Sequence, residues 1–196
     1  MRKLIVLFFA AYLMAANNEK PELIEAAKQI ALKASTEYLS VLKNAMKQRL
    51  LSKGPAAAIA YCNKHAYPLT MKTSILLSRQ LHVRLRLKRI SFKNRNVADY
   101  PNSVDAPILK ELSKADSKHP KMIVKVYPTR IDVYQPIYVQ KICLRCHGRH
   151  LSSEVVKELN RFYEDDKARG YKVGDFRGAV VVTIDKKSLE KYLQNQ

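Results

Sequence analysis

From Pro21 to about Ser52, apolar positions recur at three- and four-residue spacing through Leu23, Ala27, Ile30, Ala34, Tyr38, Val41, Leu42 and Ala45, with no glycine among them. That is the period of one helical face, and it predicts a long amphipathic helix over 21–52. Gly54 and Pro55 interrupt it. Proline suits the first turn of a helix, where its missing N–H has no partner to lose, so a second helix carrying AAAIAYCNKHA is expected to start there and to end near Pro68. In HVRLRLKRIS the period changes: Val83, Leu85 and Leu87 alternate with Arg84, Arg86 and Lys88, the pattern of a half-buried strand. YPNSVDAP reads as a loop, DAPILKELSKAD as a short helix, and MIVKVYP and RIDVYQPIYV as two further strands. A helix at about 151–168, turns at Gly170 and Gly174, a buried strand AVVVTI and a closing helix KKSLEKYL complete the chain. This order predicts an α+β domain, an antiparallel sheet with helices packed on it.

The opening, MRKLIVLFFAAYLMAANNEK, obeys a different logic. Arg2 and Lys3 precede an apolar run from Leu4 to about Ala16, with small residues at Ala15 and Ala16 before a polar stretch. That layout predicts a secretory signal over 1–16, since the run is shorter than the roughly 20 apolar residues a membrane span needs. An uncleaved anchor is the competing reading. Residues 17–196 then form one exported domain, and the expected compartment is the periplasm.

Charge changes the choice of partners. The chain carries a formal +19, and loss of Arg2 and Lys3 leaves +17. For an exported protein, a charge of this sign and size argues against nucleic acid and for an anionic membrane surface, an acidic partner protein or an anionic cofactor.

The chemistry concentrates in ICLRCHGRH at 142–150, where Cys143, Cys146 and His147 form C-x-x-C-H. Haem attached as in c-type cytochromes needs two thiols for the two vinyl groups and an imidazole for the iron, and the motif supplies all three in five residues. A thioredoxin-like redox pair would leave His147 without a purpose. A structural zinc would have to recruit Cys62 as a lone second half-site, and a plain disulfide is open to any exported protein. Covalent haem is the preferred reading. Candidates for a further iron ligand are Cys62, His65, His82, Met71, Met122, His119 and His150. Cys62 and His65 are three apart on the expected second helix and should share a face. Seven basic residues from Arg79 to Arg95, with no acid among them, could neutralise haem propionates. Arg84, Arg86 and Lys88 fit better as a solvated strand face.

Four stretches carry a resemblance: AAIAYCNKHA at 57–66, RISFKNRNVADYPNSVD at 89–105, YQPIYVQKICLRCHG at 134–148 and GYKVGDFRGAVVV at 170–182. In this order they resemble a family of extracytoplasmic c-type haem domains with a PAS-like fold, long catalogued as a domain of unknown function, whose members occur alone or as the sensing part of membrane receptors. The resemblance implies one covalently bound haem c with His147 and Cys62 as its axial ligands. It also implies that Arg89, Ser91, Lys93, Arg95 and Asn96 run along the haem pocket; His65 is expected beside that pocket from its spacing to Cys62 alone. Val97 and Asp99 depart from the family's usual proline and asparagine at those positions.

Thiolate ligation stabilises ferric iron, whereas methionine raises the potential. The expected function is therefore a redox or gas sensor, nitric oxide being one such gas, that passes its signal to a separate partner protein. The alternative is a periplasmic electron-transfer cytochrome. No enzyme activity is expected, because a peroxidase would need a distal acid-base group and His65 is the one nearby candidate.

Overall fold

The computed structural model describes residues 20–196, so the expected signal at 1–16 lies outside the described residues. Helix α1 runs Pro21–Gln80 and is broken at Gly54, where φ is 78° and ψ 175°. The break folds the helix back on itself. Tyr38 Oη and Thr70 Oγ1 are 2.9 Å apart although 32 residues separate them, whereas a straight helix would hold them about 48 Å apart. The Arg49 guanidinium also lies 4.9 Å from the centre of the Tyr61 ring, joining the two arms nearer the turn. A positive φ favours glycine, and a Cβ at Gly54 would meet nothing within 4 Å, so the demand there is torsional and not steric.

The second arm does not end at Pro68, contrary to expectation; it continues to Gln80. Proline removes one backbone bond, to the carbonyl four residues earlier. Here that residue, Lys64, is exposed, as is Pro68 itself. Water can serve the freed carbonyl while the inward face continues unbroken through Thr70, Thr73, Ser74 and Leu77.

Four strands come next: β1 Leu85–Ile90, β2 Ile123–Val126, β3 Arg130–Tyr138 and β4 Phe176–Asp185. They form one antiparallel sheet in the order β1-β4-β3-β2. One face, with Leu85, Leu87, Ile131, Val133, Val180 and Val182, packs on Leu23, Ala27, Ile30, Ala34 and Leu77 of the hairpin. The other face, with Tyr134, Ala179 and Val181, is covered by Ile108, Leu109 and Leu112 of α2 (Asp105–Leu112). Each large side chain buried this way contributes about 1.5–3 kcal/mol. The rest of the chain comprises α3 (Leu144–His147), α4 (Ser153–Phe162), shorter than the span expected after the motif, and α5 (Lys186–Gln194). The architecture is α+β with a long N-terminal helical hairpin. Among the described residues no helix is long and apolar enough to cross a membrane.

Two details of the sheet position the site. Arg89 continues the inward parity of Leu85 and Leu87, so β1 delivers a guanidinium to the margin of the core. On β4 the pairing passes from Ile137↔Gly178 directly to Tyr138↔Phe176, leaving Arg177 as the extra residue of a bulge. A bulge re-aims the side chain it carries.

Candidate functional site

Where the hairpin arms diverge from the sheet, they leave a cleft of about 240 Å³. One wall is helical, with Leu42 and Met46 from the first arm and Ala58, Ile59, Cys62, Asn63 and Ala66 from the second. A second wall holds Ile142, Cys143, Cys146 and His147, and Arg89, Arg95, Asp99 and Arg177 close the polar side. The structure thus brings all three cysteines to one cavity from positions up to 84 residues apart.

The C-x-x-C-H segment is wound tightly. A 3₁₀ turn over Lys141–Cys143 runs into α3, and the Gln140 N–H reaches the Cys143 Sγ at 3.4 Å. Gly148 ends the helix by donating to the Leu144 carbonyl at 3.0 Å. A Cβ at Gly148 would sit 2.6 Å from that same oxygen, so close approach, and not an unusual φ, demands glycine there. His147 is fixed from behind: its Nδ1 lies 2.7 Å from the Ala168 carbonyl. A carbonyl only accepts, so Nδ1 carries the proton and Nε2 is left with its lone pair, the form that ligates a metal. Burial, reinforced by the nearby Arg95 and Arg177 charges, holds the imidazole well below its usual pKa and hence neutral.

The three arginines play different parts. Arg95 is not the free pocket cation that the sequence suggests. Its Nε donates to Asp166 at 3.1 Å, and its Nη2 donates to the Cys146 carbonyl at 2.7 Å and to Ala168 O at 3.3 Å. The Asp166 side chain is fully buried, also accepts from Arg169 Nε at 2.8 Å and from the Ala168 amide at 3.0 Å, and is held below the usual carboxylate range by these donors against the opposing effect of burial. Arg95 therefore splints the backbone of the motif. Arg89 pairs with Asp99 at 3.4 Å. Arg177 donates to Ser91 Oγ at 2.8 Å and to the Lys93 carbonyl at 3.1 Å and makes no ion pair among the described residues. Burial and the charges of Arg89 and Arg95 push its pKa down, against the opposing effects of Tyr171 and Asp99. Sequence reasoning missed it, because period-two alternation sends Arg177 to the face of Ala179 and Val181. The bulge alone brings it round.

Cys62 lines the same cleft as the motif. Burial raises its thiol pKa, and Arg89 and Arg95 oppose that rise. None of the three cysteines is in a disulfide. No group of three or more His, Cys, Asp or Glu gathers as a metal site among the described residues, which counts against structural zinc. Iron in a porphyrin needs only two protein ligands, and Cys62 and His147, carried by different helices, both line this cleft. Apolar lining on the helical wall and basic side chains opposite match a flat apolar ring with anionic propionates.

His65 is not part of the cleft, contrary to expectation. Its ring stacks on Tyr61 with centroids 4.5 Å apart. At about 100° per residue, Ile59, Asn63, Ala66 and Thr70 place the cleft face to one side of Cys62, and His65 falls on the other. Nor do the remaining candidates line it. Met71, His82, His119 and His150 are exposed, and Met122 packs against the main core. Ser91 and Lys93 lie behind the cleft, where Lys93 Nζ sits 4.5 Å above the Tyr171 ring, and Asn96 lines it.

Comparison with known proteins agrees with this arrangement at the level of family and fold. The crystal structure of the cyanobacterial haem protein Tll0287 matches with a TM-score of 0.58 at 21% identity, covering 85% of this chain and 97% of that one. Among curated proteins none matches. The sequence profile described as Tll0287-like matches residues 16–185, which is most of the chain, and the protein therefore belongs to the Tll0287-like family.

Proposed function

We propose that this is an exported protein holding one haem c, bound through thioether links to Cys143 and Cys146 with His147 and Cys62 as axial ligands, and that it serves as a PAS-like redox or gas sensor and not as an enzyme. The observation that carries this reading is that Cys143, Cys146, His147 and Cys62, from distant parts of the chain, line one and the same cleft. The fold shared with a haem protein supports it.

Bound haem would supply an iron whose oxidation state and ligation can change. The chain's own groups hold and sense it. Ala168 O keeps the His147 proton on Nδ1 and sets the plane of the ring. Arg177 and Arg89 put positive charge on the lining of the cleft, where they would balance the propionates. Cys62, half-buried on the helix that also carries Ile59 and Ala66 into the cleft, offers a thiol whose proton leaves when a metal takes the sulfur. Its helix continues to Gln80 and turns directly into β1, so a change at Cys62 moves an element joined to the sheet. Two states of that arm, biased differently by oxidation or by a small ligand, are what a sensor requires.

The test is Cys62→Ser in protein matured in a compartment that assembles c-type haem. Haem should stay attached after denaturation, the ferric spectrum should lose its thiolate character, the reduction potential should rise, and nitric oxide should bind more readily. An unchanged ferric spectrum would remove Cys62 from the iron and make periplasmic electron transfer the better account.

A further inference from the structure

Between Glu37 and Asp99 the chain has thirteen basic residues and no acid. The second arm of the hairpin lies wholly inside this run. Its inward face buries Ile59, Thr70, Thr73, Ser74 and Leu77. Its outward face carries exposed apolar side chains, with Met71 51% exposed, Ile75 52% and Leu76 51%. Lys64, Lys72 and Arg79 lie among them on the same exposed side, and none of the three makes an ion pair among the described residues. Exposed apolar side chains on soluble proteins are commonly scattered singly. Here they share one helical face that spans about 22 Å from Lys64 to Arg79.

We infer that this face docks on an anionic lipid bilayer, the aliphatic side chains entering the headgroup boundary and the three cations meeting lipid phosphates. An interfacial helix combines apolar side chains with Lys and Arg in this way. Nucleic acid or an acidic protein would use the cations but leave Met71, Ile75 and Leu76 without a partner. The inference stands independently of what the cleft holds.

The experiment is co-sedimentation of the full exported protein with vesicles of phosphatidylglycerol and phosphatidylcholine, against vesicles of phosphatidylcholine alone. Binding should require the anionic lipid. A triple variant Lys64→Gln, Lys72→Gln, Arg79→Gln should bind about 100-fold more weakly, at about fivefold per cation near such a surface. Met71→Ser, Ile75→Ser, Leu76→Ser should also weaken it, by about tenfold or more, because apolar contact is lost. All six positions are exposed, and an unchanged thermal melt confirms that each variant is folded. The inference fails if wild type ignores anionic vesicles. It fails equally if the serine variant binds them like wild type, or if duplex DNA or polyglutamate binds as tightly as the vesicles; each result means adsorption by charge alone.

Discussion

Asp166→Asn isolates the splint behind the motif. The substitution keeps the side chain's shape but removes its charge, leaving Arg95 with no carboxylate. Breaking a buried ion pair by removing one partner costs about 3–5 kcal/mol. The Asp166 side chain is 0% exposed and that of Arg95 12%, but Arg169, its second guanidinium, is 30% exposed and can turn to water. The asparagine oxygen also retains one acceptor. A loss of about 3 kcal/mol at pH 7 is expected, near the low end of that range, which lowers the melting temperature by about 6–12 °C in a domain of this size. The pH dependence carries the sharper signature. Asp166 has a folded-state pKa below its ordinary value, so its contribution is fully present above the unfolded value of about 3.9 and disappears as pH falls through the folded value. Urea titrations of both proteins from pH 7 downward should therefore show the gap closing below about pH 4. A gap under about 0.5 kcal/mol at pH 7, the level of an ordinary surface change, or one that stays constant to pH 3, would refute the reasoning.

Gly178→Ala should destabilise the domain by about 3 kcal/mol, because φ there is 142° and a Cβ would collide with the Ile90 carbonyl and lie 3.1 Å from Ser91 Cβ; chemical denaturation measures it. Tyr38→Phe should cost about 1 kcal/mol, since Thr70 Oγ1 donates to the Ala66 carbonyl and so accepts from Tyr38, and no other donor replaces it. In haem-loaded protein, Arg177→Gln should leave attachment intact and lower the reduction potential, because it removes a positive charge that disfavours ferric iron; redox titration reads this, and an unchanged potential would place Arg177 away from the iron.

Period and punctuation made most of the fold legible. Alternation in 83–88 marks β1 because one side of that strand is solvated, and the three-and-four spacing after Pro21 marks the first arm because only one face meets the sheet. Pro68 misleads because its cost depends on whether Lys64 O can reach water, which is a property of the surface and not of the dipeptide. In the site, C-x-x-C-H is readable because its chemistry is local. The pairing of Cys62 with it comes from resemblance, since nothing in the spacing of residue 62 from residue 143 states that they face one cleft. Arg95 leaves its expected part and Arg177 takes an unexpected one for two physical reasons. Asp166, distant in sequence, claims the first, and a skipped residue in the β3–β4 ladder turns the second.

The torsional demand at Gly54 has a consequence for assembly. Because open space surrounds that position, alanine is disfavoured by its backbone torsions alone, at a cost of about 1–3 kcal/mol. Unfolded at the turn, the 60 residues of α1 would reach about 90 Å and carry Cys62 away from its own C-x-x-C-H. Domain swapping, each chain lending its arm to another, is the arrangement that would restore those contacts. The turn at Gly54 is thus what lets one molecule bring both Cys62 and the motif to the cleft.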